Sequence, residues 1–475
     1  MFDVLWGDFA EMRTARVLCS VLSALAIVAG GPAVGGAAPA DSGSGSGSSS
    51  GSGSGSASGS GTGSAGGAPT SVPSLGPDFL WGVAMAGFQS EGHAPDSNWL
   101  RYANSGKAHD PYGNSVDFYD RYAEDIDLAA GMGLKVYRLS IEWARVQPQA
   151  GVWDDANFRF YDQVVQKIRA AGMRPMLTLD HWVIPGWEAD RGGWKNQGMV
   201  ADWLANMRRV VDRYAADDPM WVTINEPMGY VAQSIKIGDI GALDALPMFD
   251  RLVQAHSAIY DYIHSRQPGA KVTSNIAQYP IVQNLTDLLF ADRIRGKLDY
   301  IGVDFYYGAS LTHLPSTALL GDELWKNAIE PEGIYYDLRT YTEKFPGLPI
   351  YVVENGLPTD NAAPRSDGYD RADHLRDTVY WLQRAKTDGI NVIGYNYWSL
   401  TDNYEWGSYS PRFGLYTVDA KTDPTLTRRP TDAVPAFKVI TAQGGVPADY
   451  RPTRKPALCS IILPLESCLR PVSVP

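Results

Sequence analysis

Two glutamates stand where their chemistry matters most. Glu226 ends the run Thr223-Ile224-Asn225-Glu226-Pro227, and Glu354 lies in Val353-Glu354-Asn355-Gly356. Each marks the point where an apolar, strand-like stretch gives way to a turn. A carboxyl pair flanking one sugar ring is what glycosidic hydrolysis needs. One group must be protonated to release the leaving oxygen, and the other ionised to attack or to assist water. A gap of about 5–5.5 Å dictates attack by the enzyme and retention, whereas a wider gap admits water and inverts. Spacing alone leaves both outcomes open, along with the plainer reading that one or both glutamates are ordinary rim residues.

Two residues so far apart in sequence meet only if regular elements bring them together. Apolar runs suited to buried parallel strands occur at 79–85, 134–141, 174–180, 220–225, 271–277, 299–306, 349–354 and 391–398. Helix-period segments alternate with them at 117–132, 156–171, 199–216, 247–266, 370–388 and 431–442. In the first of these, Phe118, Tyr122, Ile126 and Ala129 share one face. Eight such units predict an α/β fold, a (β/α)8 TIM barrel forming a single catalytic domain over 76–445. A doubly wound open sheet is the alternative, but no G-x-G-x-x-G turn follows the first strand. Reactive side chains of a barrel project from the carboxyl ends of its strands. Glu226 then ends the fourth strand and Glu354 the seventh.

The chain's net charge is −12, with no basic stripe, which argues against nucleic acid or an anionic membrane as a partner. Its 14 Trp and 26 Tyr supply flat faces that fill cores and also stack on sugar rings. His and Cys show no H-x-x-H or C-x-x-C spacing, which gives a zinc site little support, and hydrolysis by a carboxyl pair needs no metal or organic cofactor.

The two ends read differently from the middle. Residues 1–40 have the form of a signal peptide, with Met12 a possible start and Arg13 and Arg16 its basic region. The apolar run 17–29 is short for a membrane span, and Ala38-Pro39-Ala40 offers a cleavage site. Export would place the mature chain outside the cell or on its surface, without a membrane span; an uncleaved anchor is the alternative. Residues 41–75 are expected to form a disordered Gly/Ser-rich linker with a reach of roughly 30 Å. The Pro-rich extension 446–475 is expected to wrap the outside. In an oxidising compartment Cys459 and Cys468 can pair as a disulfide; two buried free thiols are the alternative.

Six motifs then follow one another in order. They are Phe79-Leu80-Trp81-Gly82 through Gln89-Ser90-Glu91-Gly92, Tyr137-Arg138-Leu139-Ser140-Ile141-Glu142-Trp143, and His181-Trp182 with Pro185. The N-E-P at 225–227 and the E-N-G at 354–356 come next. The last runs from Tyr397-Trp398-Ser399-Leu400-Thr401-Asp402-Asn403-Tyr404-Glu405-Trp406 to Arg412-Phe413-Gly414-Leu415. Together they resemble glycoside hydrolase family 1, the β-glucosidase family, over roughly 76–440. The resemblance implies double displacement, with Glu354 as nucleophile and Glu226 as acid/base. It implies that Arg138 and Tyr306 orient the nucleophile. Gln89, His181, Asn225, Glu405 and Trp406 would bind sugar hydroxyls, with Trp398 as stacking floor and Phe413 beside C6. A carboxylate at Glu405 would repel a 6-phosphosugar and favour an unmodified glycone.

Departures from the family pattern bear on the leaving-group side. Asp304-Phe305-Tyr306 stands where the family usually shows Asn-Tyr-Tyr, and Val183-Ile184 where it commonly has Asp-Leu. Asn327 occupies a place often held by Trp, with Trp325 a candidate stand-in. The expected activity is a secreted, retaining exo-β-glycosidase acting on a β-glycoside or oligosaccharide. The alternatives are an endo-β-glycanase on the same barrel, a non-catalytic carbohydrate-binding protein, and transfer to a sugar hydroxyl in place of water.

Overall fold

The computed structural model describes residues 71–279, 282–310, 323–460, 462 and 466–473. The expected signal peptide, and the linker up to residue 70, lie outside the described residues.

The apolar runs form strands β1 (Leu80–Ala84), β2 (Val136–Ser140), β3 (Arg174–Asp180) and β4 (Met220–Ile224). After them come β5 (Lys271–Thr273), β6 (Ile276–Ala277), β7 (Ile301–Asp304), β8 (Ile350–Glu354) and β9 (Val392–Trp398). All nine belong to one parallel sheet, in the order β5-β4-β3-β2-β1-β9-β8-β7-β6. The two ends of that order are successive pieces of one chain segment. Lys271–Thr273 pairs with β4, and Ile276–Ala277 with β7. The segment 271–277, expected as one strand, therefore breaks at Ser274-Asn275 and closes the (β/α)8 barrel through the break.

Side chains fill the barrel rather than leaving a pore. Val136, Met176, Met220, Val222, Tyr300, Tyr351 and Val353 pack together as an inner apolar cluster. Gly394 of β9 makes room for the Tyr351 ring, since a Cβ there would fall 2.2 Å from its Cε2. The larger core lies between the strands and the surrounding helices.

Those helices are α1 (Phe118–Ala130), α2 (Asp155–Ala170), α3 (Met199–Tyr214) and α4 (Pro227–Ile237). The ring continues through α5 (Ala245–Arg266), α6 (Gly333–Lys344), α7 (Arg371–Thr387) and α8 (Ala433–Gln443). Capping side chains open two of them: Asp154 accepts from the N–H groups of Ala156 and Asn157, and Asp370 from that of Asp373. The helical periodicity missed α4 and α6. Helix α4 begins directly after Glu226 with Pro227 at its first position, where proline's fixed φ suits a helix start. In α6 the buried face includes Tyr335, Tyr336 and Tyr341, aromatic residues of modest helix propensity that tertiary packing holds in place.

Both ends dock on the barrel. Val72 and Leu75, expected in the linker, are buried, and their N–H groups donate to the carbonyls of Ala448 and Gly444. The ordered chain thus begins before residue 76, because these two side chains find apolar partners in the core. The C-terminal extension lies against α6 and α7. The N–H groups of Thr453 and Arg454 donate to Asp377, and Ser460 Oγ donates to Glu332. Cys459 and Cys468 are joined as a disulfide.

One buried ion pair ties α1 to the chain leading into α8. Arg428 donates through Nε and Nη2 to the two carboxylate oxygens of Asp125, at 2.8 and 3.0 Å, with both side chains almost wholly buried. Removing one member of such a pair leaves the other charge uncompensated. The substitution Arg428→Met is expected to destabilise the fold by about 3–5 kcal/mol. Chemical denaturation measures this, and a loss below about 1 kcal/mol, the range of an exposed pair, would show that the pair does not hold these segments together.

Candidate active site

The carboxyl ends of the strands converge on a cavity of about 130 Å³. Glu354 is the last residue of β8 and is 4% exposed. Its Oε1 accepts from Arg138 Nη1, and its Oε2 accepts from Tyr306 Oη at 2.7 Å. Arg138, in the middle of β2, is wholly buried and donates to two further oxygens. One bond goes from Nε to Thr178 Oγ1 at 2.9 Å, the other from Nη2 to Asn225 Oδ1 at 2.7 Å. The guanidinium is thereby fixed at three points, and it holds the Glu354 carboxylate in one orientation.

Glu226 leaves β4 through a left-handed backbone, φ +37°. A non-glycine residue there carries strain of about 1–3 kcal/mol, which the flanking structure must impose. Pro227 and α4 on one side, and the donation from Glu226 N–H to Asn275 O at 3.2 Å on the other, do so. The turn sets the Glu226 carboxyl across the cavity mouth from Glu354. One oxygen each of Glu226, Glu354 and Asp304 lies within 4.8 Å of the other two. So close an approach is compatible with the spacing of about 5–5.5 Å between carboxyl groups that retention requires.

Burial pushes the Glu226 carboxyl up to about 8, and the neighbouring Glu354 charge adds to the rise; the Asp304 hydrogen bond and Arg138 oppose it. Glu226 is therefore protonated at neutral pH. Glu405 is also pushed up to about 8, by burial first and by Glu354 second. Gln89 and Trp398 oppose that rise through hydrogen bonds to its carboxyl. His181 is held neutral by burial and by Arg138, and no Lys or Arg lines the cavity among the described residues.

The remaining expected residues form the walls. Gln89 Nε2 donates to Glu405 Oε2 at 3.1 Å and to Asn403 Oδ1 at 3.3 Å, while its buried Oε1 accepts no hydrogen bond from the described residues. Both bonds to the Asn225 side chain fall on Oδ1, which leaves Nδ2 to donate. The His181 ring lies nearly parallel to Trp398 and to Trp406, with centroids 5.9 and 5.8 Å away. Phe413 meets the Tyr306 ring edge-on. Gln89, His181, Asn225, Tyr306, Trp398, Glu405, Trp406 and Phe413 all line the cavity with the two glutamates, and Arg138 sits behind Glu354.

Several lining residues went unassigned from sequence: Gln233 on α4, Gln278 and Tyr279 after β6, Tyr307 after β7, and Leu324. No motif announces them, although Gln278 and Tyr279 directly follow a strand, the position a barrel reserves for its site. Leu324 lines the wall where Trp325 was considered, and Asn327 is buried, with Nδ2 donating to Leu324 O. Trp182 stacks on Trp406 at 4.7 Å and donates from Nε1 to Asn225 O. Val183 and Ile184 are simply buried in the core. Among the described residues one other close group of His and acidic side chains exists, His93, Asp117 and Asp120 on the surface, where His93 and Asp120 already hydrogen-bond each other.

Comparison with known proteins agrees with this geometry. The model for glycosyl hydrolase family 1 matches residues 72–288 and 291–445. A 1,4-beta-D-glucan glucohydrolase of Thermotoga neapolitana is 28% identical over 421 residues, covering 73% of this chain and 98% of that protein. A chloroplastic galactolipid galactosyltransferase of Arabidopsis thaliana is 30% identical over 378 residues, covering 70% of this chain and 59% of that protein. Among solved structures, a family 1 β-glucosidase of Thermotoga maritima superposes with a TM-score of 0.67 at 26% identity, covering 79% of this chain and 100% of that one. The same enzyme in complex with deoxynojirimycin has a TM-score of 0.67 at 25% identity. With the family's barrel, its motifs in order and a buried carboxyl pair at the strand ends, this chain belongs to glycosyl hydrolase family 1 as a β-glucosidase-like glycoside hydrolase.

Proposed function

We propose that the protein is a secreted, retaining exo-β-glycosidase that removes one terminal non-reducing β-D-glycosyl unit by double displacement. The observation that carries this reading is the division of states across one small cavity: Glu354 is held by Arg138 and Tyr306, while Glu226, facing it, keeps a proton.

In the first step Glu354 attacks the anomeric carbon as Glu226 gives its proton to the departing oxygen. Ester formation removes the Glu354 charge that had helped raise the Glu226 carboxyl. Glu226 then becomes a better carboxylate base, and it deprotonates the water that releases the sugar. Arg138 and Tyr306 steady the nucleophile throughout. Gln89 Oε1, Asn225 Nδ2 and the Glu405 carboxyl offer acceptors and donors to sugar hydroxyls, and Trp398 offers a flat wall.

The exo reading rests on the cavity's small volume, about 130 Å³, and on Gln89, Glu405 and Trp406 lining it together. An endo-acting enzyme needs a groove open at both ends. Transfer to a sugar hydroxyl uses the same intermediate, and the galactosyltransferase among the relatives makes that acceptor worth testing. Export rests on the leader-like segment 1–40. N-terminal sequencing of protein recovered from culture medium should read a new end near residue 41, whereas an intact leader on cell-bound protein would count against secretion.

Three measurements address the chemistry. A panel of nitrophenyl α- and β-glycosides should show turnover of β-substrates only, abolished by Glu354→Ala and partly restored by azide as the α-glycosyl azide. Turnover of α-substrates, or full activity without Glu354, contradicts the mechanism. Tyr306→Phe removes one donor to a charged carboxylate and should cost about 1.5–3 kcal/mol in kcat/KM, roughly 10- to 100-fold. The acid must carry its proton in the free enzyme, so the basic limb of kcat/KM should fall as pH rises through about 8. A profile flat to well above that pH would remove Glu226 as the acid.

A further inference from the structure

A glycosidic oxygen that takes its proton from Glu226 must carry the rest of the leaving group on the Glu226 side of the cavity. Three pieces of chain build the wall there. Helix α4 starts directly after Glu226 and carries Gln233. Gln278 and Tyr279 follow β6, and Tyr307 follows β7. The split β5–β6 segment stands four places from β1 in either direction around the ring. This wall therefore faces Gln89, which follows β1.

A close approach fixes where the segment runs. A Cβ added at Gly229, in the first turn of α4, would fall 2.7 Å from Tyr279 Oη and 3.0 Å from Glu226 Oε2. Glycine there lets the phenol and the acid border the same small space. The backbone holds the wall in place. The Gln278 N–H donates to Asp304 O at 2.9 Å, and the Tyr279 N–H to Gln283 Oε1 at 2.9 Å. Gln283 is tied in turn to α6, its Nε2 donating to Tyr341 Oη at 2.6 Å.

What the wall presents is hydrogen-bonding groups without partners. Gln278 is 7% exposed, and both its Oε1 and its Nε2 are buried with no partner among the described residues. Gln233, half-buried, has an Oε1 in the same condition. An amide with its acceptor and donors all unused suits neighbouring hydroxyls, since one O–H can donate to Oε1 while another accepts from Nε2. A phenyl ring or an alkyl chain would bury those atoms and leave them unpaired, the condition that makes a polar site reject an apolar ligand. A charged leaving group finds no counter-ion, because no Lys or Arg lines the cavity among the described residues.

We propose that Gln278 sets leaving-group specificity: its amide, with Gln233 Oε1, binds hydroxyls of a second sugar, so the preferred substrate is an uncharged β-linked disaccharide or oligosaccharide. This deepens the glycosidase reading above and rests on Glu226 being the acid. The same wall serves an acceptor sugar when one replaces water. Its hydroxyl gives a proton to Glu226, its oxygen bonds the anomeric carbon, and the ester to Glu354 breaks, the reverse of the first step.

The test measures kcat/KM on three substrate types that share the glycone preferred in the nitrophenyl panel. They are a set of disaccharides with that glycone β-linked to different positions of glucose, the hexyl β-glycoside and the nitrophenyl β-glycoside. The hexyl substrate is the key control: its alcohol needs the acid as a sugar hydroxyl does, but it offers no hydroxyls to an amide. The wild type is expected to favour the best disaccharide over the hexyl glycoside by about tenfold or more. Gln278→Met keeps the side-chain length and removes the amide, and the ratio of the two kcat/KM values should fall roughly 10- to 50-fold. Gln233→Met, at a half-buried position that tolerates change more readily, should lower the same ratio about fivefold. An unchanged ratio in both variants, whether the two rates fall together or neither moves, overturns the leaving-group assignment. A wild type that turns over the hexyl glycoside faster than every disaccharide overturns it as well. A wild type inactive on all the β-glycosides, or full activity of Glu354→Ala, would instead sink the glycosidase reading beneath it.

Discussion

At the mouth of the barrel the guanidinium of Arg138 faces three buried carboxyl groups; it bonds Glu354 directly, and its charge opposes the rise that burial gives the other two. Glu354 takes the direct contact, with Tyr306 supporting it. Glu226 and Asp304 are close enough to feel the Glu354 charge but receive no donor from Arg138. Breaking a buried pair of this kind costs about 3–5 kcal/mol, since the surviving charge is left without water or partner. Moving Arg138 would therefore disturb the protonation of the whole cluster as well as one ion pair.

The barrel's task is to hold that guanidinium still. Arg138 lies within a strand, not a loop, and its other donors reach a neighbouring strand at Thr178 and the end of another at Asn225. The break between β5 and β6 serves the same arrangement. It frees Asn275 from regular strand pairing, and from there the residue receives the Glu226 N–H on its carbonyl and bonds both Asn225 and Asp304 through its amide. The interruption in the sheet is thus part of the site, as irregularities in barrels frequently are.

Several buried polar atoms around the cavity have no hydrogen-bond partner among the described residues. Gln89 Oε1 and both polar atoms of the Gln278 amide are among them. In an ordinary core such atoms would each carry a penalty of about 1–3 kcal/mol. Here they line a space the size of a sugar ring, so the unmet hydrogen bonds become binding capacity once hydroxyls arrive. The aromatic wall of Trp398, His181 and Trp406 supplies the complementary apolar contact.

The sequence by itself determined the architecture and the actors. Alternating strand and helix periods gave the barrel, because each period reports which face is buried. Glu226, Glu354 and the wall residues were legible because turns at strand ends are where a barrel keeps its chemistry, and because their flanking motifs resemble one family. The tertiary structure decided what periodicity does not encode. It drew Val72 and Leu75 into the core, split the fifth strand at Asn275, and formed α6 from tyrosines of modest helix propensity. Above all it set the spacing and protonation of the carboxyls, since each depends on distances between strands far apart in the chain. Asp304 shows the division plainly. Its identity could be read as a departure from a pattern, but only packing revealed a buried oxygen without a donor beside a second carboxyl.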